Sequence, residues 1–365
     1  MADISYISFL NHSGYGQAAR DYILSISRHT DHNLFLKPIG ALPSLPGVSA
    51  NQFAELKPFI NRKSPDSAIT VLHCTPSISR RFQKRCNRKI GFATFETYEP
   101  PQDWIRSLND NDAVIAPSKF NFDTFAYAGV NKPMFHIPHS IDTVVFNHNV
   151  EPLTKYDRFT FLFFGAWKLR KGYEGLIESW MLNFAKSKDV QLIIKTDKPS
   201  KAEKYIEISC KTFGHLRRDI APITVDKKVY DEFGLARLLK SVDCLIAPSL
   251  GEGFGLPGLQ SLAVGTPVIT TKFSGVLDYA SDETCYMLEP NNFVLKSCLD
   301  DIPQFRKHKW AIVSTTRISE AMNFVRNNIL EMQQRTEVAR QLIQNKFRYE
   351  IVAKQFNEML QSIYG

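Results

Sequence analysis

Short apolar runs alternating with helical patterns predict an α/β chain made of two doubly wound, parallel-sheet domains that face one another across a cleft. Three observations carry this expectation. The chain has 365 residues, which at a usual ~150 per domain leaves room for two cores. The alternation runs twice, once on each side of the polar, turn-like stretch NHNVEPLTKYDR at residues 147–158. A heptapeptide also echoes itself, DAVIAPS at 112–118 returning as DCLIAPS at 243–249. Each copy reads as a helix end, a buried strand and a Pro-Ser turn, and two such domains hold a ligand at the carboxyl edges of their sheets.

Residues 4–10 form the first strand, short, β-branched and aromatic. The turn NHSGYG follows, and then a helix over 17–27 with Ala18, Tyr22 and Ile26 spaced by four. Residues 69–72, 90–95 and 113–116 are continuous apolar runs of the kind buried in parallel sheets. The second series starts at 159–164 and continues through 191–194 and 244–247. From Ile318 onward the pattern is helical and closes with KFRYEIVAKQFNEMLQSIY.

Composition narrows the function classes. Hydrophobic residues at 44% and charged residues at 22% exclude wholesale disorder. With 45 Lys and Arg against 37 Asp and Glu, the net charge of +8 favours anionic partners such as phosphates, nucleotides, nucleic acid or a lipid surface. The six cysteines, Cys74, Cys86, Cys210, Cys244, Cys285 and Cys298, show no C-x-x-C spacing. That argues against zinc ribbons and thioredoxin-like chemistry and for a reducing, cytoplasmic compartment. The first Lys or Arg is Arg20, so a secretory n-region is not expected. The long uncharged stretch 253–271 is broken by Gly253, Gly255, Pro257, Gly258, Gly265 and Pro267, so no membrane span is expected there. The expectation is a chain at most peripheral to a membrane.

The strongest chemical signal is SLGEGFGLPGLQSLAVGTPVITTKFSG at 249–275. It reads strand, Gly-rich loop, helix, strand. Gly253 and Gly255 permit close backbone approach to a ligand, and Pro257 suits a first helical turn. The helix N-terminus then forms an anion site. Glu252 sits in the loop and Gln260 projects from the helix. The bland alternative is a tight turn in which Glu252 caps the helix locally.

This segment resembles the E-G-F-G-L-P-x-L-E signature of the retaining, nucleotide-sugar-dependent glycosyltransferases of family 4, which have the two-Rossmann GT-B fold. Other segments match in order: SGYGQAAR, FETYEPPQDW, DAVIAPSKFNFDTFAYAGV, IPHSIDTVVF, FFGAWKLRKGYEGLIESW and KFRYEIVAKQFNEML. The resemblance implies an acceptor domain over 1–150, a nucleotide-sugar domain over 151–345 and a final helix, 346–365, crossing back to the first. It makes Glu252 the carboxylate that binds donor-sugar hydroxyls, and Arg170 and Lys171 the clamp on the diphosphate. Gly253, Phe254, Gly255 and Leu256 become the donor loop, and Gly14 and Gly16 a glycine turn on the donor. The family's second carboxylate is Gln260 here, an amide that forfeits a charge-assisted bond to the ribose. The family's Gly-Arg is Gly165-Ala166, which leaves the arginine role to Arg170. Two cations and a helix N-terminus stabilise charge growing on the β-phosphate, so no metal or further cofactor is implied beyond a UDP- or GDP-hexose co-substrate. Without the resemblance, the bland alternative for Arg170 and Lys171 is a solvated basic turn before a helix.

Weaker candidates remain open to two readings each. Asp110-Asn111-Asp112 fits a D-x-D metal motif, although Asp112 also echoes Asp243 ahead of a strand. His136 and His139 have ligand-like spacing, but a packed histidine fits the turn IPHS as well. Glu96, ending GFATFE, is an acceptor-side candidate with His139. The stretch ISRRFQKRCNRK at 78–89 reads as one helix, with Ile78, Phe82 and Cys86 along an apolar stripe. Arg81, Lys84, Arg85 and Arg88 then make either a solvated face or a dock for a lipid headgroup, a polyanionic acceptor or nucleic acid. Transfer of a hexose to a glycan, lipid-linked or other polyanionic acceptor is the leading reading. The alternatives are a nucleic-acid-binding scaffold on a degenerate version of the fold, or a glycosyltransferase acting on modified nucleic acid.

Overall fold

The computed structural model describes residues 1–40, 47–296, 305 and 308–365. Cys298 lies outside the described residues. The chain divides into two units, one of Met1–Val144, Tyr230–Phe233 and Ile343–Gly365, the other of Val145–Val229 and Gly234–Leu342.

The first unit alternates β1 (Asp3–Ser8), α1 (Gly14–His29), β2 (Asn33–Pro38), α2 (Ala50–Leu56), β3 (Ile69–His73), α3 (Pro76–Gln83), β4 (Arg88–Phe92), α4 (Gln102–Asn109), β5 (Ala113–Ala116), α5 (Lys119–Tyr127) and β6 (Met134–His136). Its sheet is parallel throughout, in the order β2-β1-β3-β4-β5-β6. Ile4, Tyr6, Val71, Ile90 and Ile115 from its strands pack with Tyr22 and Ile23 of α1 in one buried core. Runs this short and apolar suit strands with helices over them. Ser13 caps α1 by accepting from Gly16 N–H at 3.2 Å. A Cβ on Gly16 would lie 2.0 Å from the Asn11 carbonyl oxygen, so that glycine has a local packing reason. A Cβ added at Gly14 would meet no atom beyond its own turn within 4 Å.

In the second unit the order is β7 (Phe159–Phe164), α6 (Tyr173–Asn183), β8 (Val190–Lys195), α7 (Pro199–Thr212), β9 (Ile223–Asp226), α8 (Glu232–Lys240), β10 (Cys244–Ala247), α9 (Leu256–Ala263), β11 (Val268–Thr271) and β12 (Tyr286–Leu288). A second six-stranded parallel sheet results, ordered β12-β11-β10-β7-β8-β9. An antiparallel pair, β13 (Asn292–Lys296) with β14 (His308–Ile312), follows, and then α10 (Thr315–Asn327) and α11 (Ile329–Lys346). The last helix, α12 (Tyr349–Tyr364), belongs to the first unit and packs on α1. Tyr349 donates its hydroxyl to Asp21 at 2.6 Å, and Ser25 of α1 donates to the Tyr349 carbonyl at 2.6 Å. None of the described helices is long and apolar enough to cross a membrane.

The repeated heptapeptide has a common structural job. Asp112 accepts the Lys89 N–H at 2.8 Å and returns its own N–H to the Lys89 carbonyl. Asp243 does the same with Thr160, at 2.7 Å. Each aspartate fixes the start of its strand against the neighbouring strand. The serines that close the repeat diverge: Ser118 caps α5 through Asn121 N–H, whereas Ser249 donates to the Glu252 carboxylate at 2.7 Å.

The basic stretch is not one helix. α3 ends at Gln83, and Arg88 opens β4, where its guanidinium lies 5.5 Å from the Tyr364 ring centre. The buried face of α3 holds Ser79 and Gln83, not Ile78, Phe82 and Cys86. Gln83 donates to the Ser107 carbonyl at 2.7 Å, and the Ser79 and Ser107 hydroxyls meet at 3.1 Å. Those bonds to α4 set the rotation of α3. Arg81, Lys84, Arg85 and Arg88 are all exposed.

Two buried titrating groups in the first unit pull stability in opposite directions. His139 stacks with Phe92, and burial pushes it from 6.5 to about 3. Burial pushes Asp21 up from 3.8 to about 7, against the lowering effects of the Tyr349 bond and the Arg20 charge. The unfolded chain therefore binds the extra proton at His139, so the contribution of this group is lost as pH drops from about 6.5 toward about 3. Asp21 binds its proton more tightly when folded, so its contribution falls as pH rises from 3.8 through about 7. Relative to the native chain, His139→Phe is expected to be better tolerated near pH 5 than near pH 7.5, and Asp21→Asn the reverse. The offset for His139 should change by on the order of 2 kcal/mol between these pH values. Thermal unfolding of both variants at the two pH values checks this. Offsets that do not change with pH contradict it.

Candidate functional site

The chain leaves β7 toward β8 on one side and returns to its other side at β10, so the β7/β10 boundary is a topological switch point. A small pocket opens there, with about 330 Å³ of empty space when the adjoining solvent is included. Phe163 and Phe164 line it from the end of β7, Ala247 from β10 and Thr270 from β11, together with Lys171, Ser249, Glu252 and the first turn of α9.

Two sequence-distant loops build the charged wall. After β7 the chain makes a short 3₁₀ turn, Leu169–Lys171, and enters α6 through Gly172 at φ 76°. A Cβ at Gly172 would lie 1.9 Å from the Pro248 carbonyl oxygen, so glycine lets this turn press on the loop after β10. Leu250 N–H donates to the Arg170 carbonyl at 2.7 Å and locks the contact. As a result Lys171 Nζ lies 2.5 Å from Glu252 Oε1, and Arg170 Nη1 lies 3.4 Å from Glu252 Oε2. All three side chains are 12 to 14% exposed.

Glu252 is held through its backbone as well. Its N–H donates to Ser274 Oγ at 2.8 Å, and its carbonyl accepts from Gly275 N–H at 2.9 Å. Ser274 is one of three non-glycine residues at positive φ among those described, at 69°, an arrangement that stores strain where geometry matters. Burial raises the Glu252 carboxyl, but the Lys171 and Arg170 charges, with hydrogen bonds from Lys171 and Ser249, outweigh it and hold the group below its usual range. The carboxylate stays ionised at neutral pH.

α9 starts at Gly255, φ 87°, with Pro257 in the first turn. Its N-cap is a glycine, and the Glu252 carboxylate bonds Arg170, Lys171 and Ser249 instead, so the local-cap alternative for Glu252 does not describe this helix. The glycines here also serve packing. Tyr279 donates to the Gly255 carbonyl at 2.7 Å, and its hydroxyl would lie 2.8 Å from a Cβ at Gly255 and 2.5 Å from one at Gly258. Phe254 and Leu256 are buried, and Phe254 packs on Tyr279 with ring centres 5.7 Å apart. Gln260 is 1% exposed, and its Oε1 has no hydrogen-bond partner.

Glu252, Arg170, Lys171, Gly253 and Gly255 thus come together in the second unit. Gly14, Gly16, Glu96, His139 and the basic residues lie in the first unit. There Glu96 is half-buried after β4, and His136 is exposed on β6. His139 sits among Tyr22, His73 and Phe92. Asp110 pairs with Lys89, and Asn111 caps α4 by donating to the Ser107 and Leu108 carbonyls. Among the described residues no group of three or more His, Cys, Asp or Glu could hold a metal ion. Sequence reasoning missed Ser249, Ser274 and Tyr279. Ser249 and Ser274 lay inside the segment already singled out, whereas Tyr279 lies just beyond it and carried no signal of its own.

Residues 158–298 match the family described as Glycosyl transferases group 1. Over 284 residues the chain is 23% identical to a D-inositol 3-phosphate glycosyltransferase of Pseudarthrobacter chlorophenolicus, covering 67% of this chain and 64% of that protein. Over 157 residues it is 27% identical to an uncharacterized glycosyltransferase of Methanocaldococcus jannaschii, covering 43% of this chain and 38% of that protein. The chain therefore spans less than two thirds of the length of either relative. Among solved structures, Anabaena Alr3699/HepE in complex with UDP-glucose superposes with a TM-score of 0.68 at 12% identity, covering 99% of this chain and 100% of that one. Sucrose-phosphate synthase from Thermosynechococcus elongatus superposes at 0.69 and 14% identity, covering 100% and 99%. The fold is GT-B. The match to the Glycosyl transferases group 1 family falls within the second unit, Tyr230–Phe233 apart.

The packing makes a sharp distinction between glycines. A Cβ on Gly275 would lie 2.0 Å from the Gly253 carbonyl oxygen. Gly275→Ala is expected to destabilise the chain by about 1–3 kcal/mol and to displace the Glu252 loop. Gly14→Ala, in the open first turn of α1, should be neutral or stabilise by up to ~1 kcal/mol. Denaturant unfolding of the two variants checks the contrast, and equal losses contradict it.

Proposed function

We propose that the chain is a retaining, metal-independent glycosyltransferase that moves a hexose from a UDP- or GDP-sugar to an acceptor. The observation that carries this reading is the Glu252–Lys171–Arg170 cluster at the start of α9, in a pocket at the switch point of the second sheet. The likeness of EGFGLPGLQ to the retaining family's signature supports the stereochemistry. That the superposed Anabaena protein binds UDP-glucose supports a nucleotide sugar.

The chemistry follows from charge. Breaking the bond between sugar and diphosphate leaves negative charge on the β-phosphate oxygen. Lys171, Arg170 and the N-terminus of α9 lie where that charge grows, and preorganised positive charge stabilises it without reorganising. Glu252, ionised, accepts hydrogen bonds from sugar hydroxyls and orients the ring. The two protein cations fill the electrostatic role that a metal takes elsewhere. The acceptor is assigned to the first unit, where Arg81, Lys84 and Arg85 are exposed and make no ion pair among the described residues. They suit a phosphate-bearing or otherwise anionic acceptor, including one presented at a membrane surface.

Transfer from a panel of UDP- and GDP-hexoses tests the reading. Turnover is expected to survive EDTA, and strict dependence on added manganese or magnesium overturns the metal-independent mechanism. Glu252→Gln should lower kcat on the order of 10²–10³-fold in a folded protein. Turnover equal to that of the native chain returns Glu252 to a structural role.

A further inference from the structure

Beyond orienting the sugar, Glu252 occupies the cations that the diphosphate needs. In the ligand-free pocket Lys171 Nζ is 2.5 Å from one carboxylate oxygen and Arg170 Nη1 is 3.4 Å from the other. Ser249 adds a hydrogen bond to the first oxygen at 2.7 Å, and the Ser274–Gly275 segment pins the backbone, so the carboxylate has little freedom to withdraw. An anion entering at the start of α9 must take Lys171 and Arg170 from Glu252. It then leaves a buried carboxylate facing a second negative charge.

From this arrangement we infer that Glu252 is a specificity determinant, one that discriminates against bare diphosphates and in favour of a diphosphate carrying a sugar. The inference rests on the donor site proposed above. A nucleotide sugar brings both halves of an exchange, oxyanions for the two cations and hydroxyl donors for the carboxylate. Inorganic pyrophosphate and a nucleoside diphosphate bring the anion alone, and meet the full repulsion of Glu252. The same asymmetry favours release of the nucleoside diphosphate once the sugar has left, because Lys171 and Arg170 close back onto Glu252. The carboxylate thus tells donor from product in a site where both carry the same phosphates.

The sign of the consequence is unusual for a residue in the transfer machinery. Removing it should weaken catalysis and strengthen binding of the product. Titration calorimetry with inorganic pyrophosphate, UDP and UDP-glucose, on the full chain and on Glu252→Gln, reads the effect. Pyrophosphate and UDP are expected to bind the variant tighter by on the order of tenfold or more, since a like charge within a few ångströms is removed from a shielded site. UDP-glucose should gain less, because it loses its hydroxyl partner, so the preference for UDP-glucose over UDP shrinks. Glu252→Ala, which does not require an amide to fit beside two cations, should move pyrophosphate the same way and covers the case in which the glutamine variant misfolds. If neither folded variant tightens pyrophosphate or UDP while the native chain still turns over a nucleotide sugar, the inference is overturned and the transfer reading stands. If the native chain neither binds any of the three probes nor turns over a sugar from the UDP and GDP panel, both fall.

Discussion

The contact between the Arg170–Gly172 turn and the Pro248–Glu252 loop is the constraint on which the site depends. Two cations and a carboxylate, eighty residues apart in sequence, reach hydrogen-bond distance because Gly172 lets one backbone approach the other. Burying such charges costs free energy unless they are paired and hydrogen-bonded, and here each finds partners inside the pocket. Ser249, Ser274 and Gly275 complete the frame by holding Glu252 through its side chain, its N–H and its carbonyl. The parallel sheet beneath supplies the rigid edge from which both loops spring.

Much of this frame was legible from residue order. Strands such as Ala113–Ala116, Phe159–Phe164 and Cys244–Ala247 are short apolar runs buried on both faces, and their pattern depends on little beyond themselves. Glu252, Arg170 and Lys171 were singled out by the resemblance of the segments around them to family 4, and the structure brings the three side chains together. The rotation and end of α3 were not legible. They depend on Ser79 and Gln83 meeting Ser107, a residue outside the segment, while the i, i+4 series of Ile78, Phe82 and Cys86 pointed elsewhere. Ser274 and Tyr279 were hidden for a similar reason. A serine at positive φ has no sequence signature, and Tyr279 matters only because two glycines elsewhere leave it room.

The echo between Asp112 and Asp243 shows how one local device serves two ends. Both aspartates anchor a strand start, but the serine six residues later caps a helix in the first unit and holds the Glu252 carboxylate in the second. Gln260 is the other departure of interest, a buried amide with an unpaired oxygen on the same helix whose N-terminus faces the pocket. Its neutral side chain adds no second carboxylate beside the Glu252–Arg170–Lys171 cluster.

The most direct measurement of the central claim is a crystal structure with a nucleotide sugar bound. The diphosphate is expected against Lys171, Arg170 and the first turn of α9, with a sugar hydroxyl on Glu252. The Lys171–Glu252 separation should open well beyond 2.5 Å. A nucleotide seated away from the start of α9, or a diphosphate bound with the Lys171–Glu252 contact intact, would contradict it.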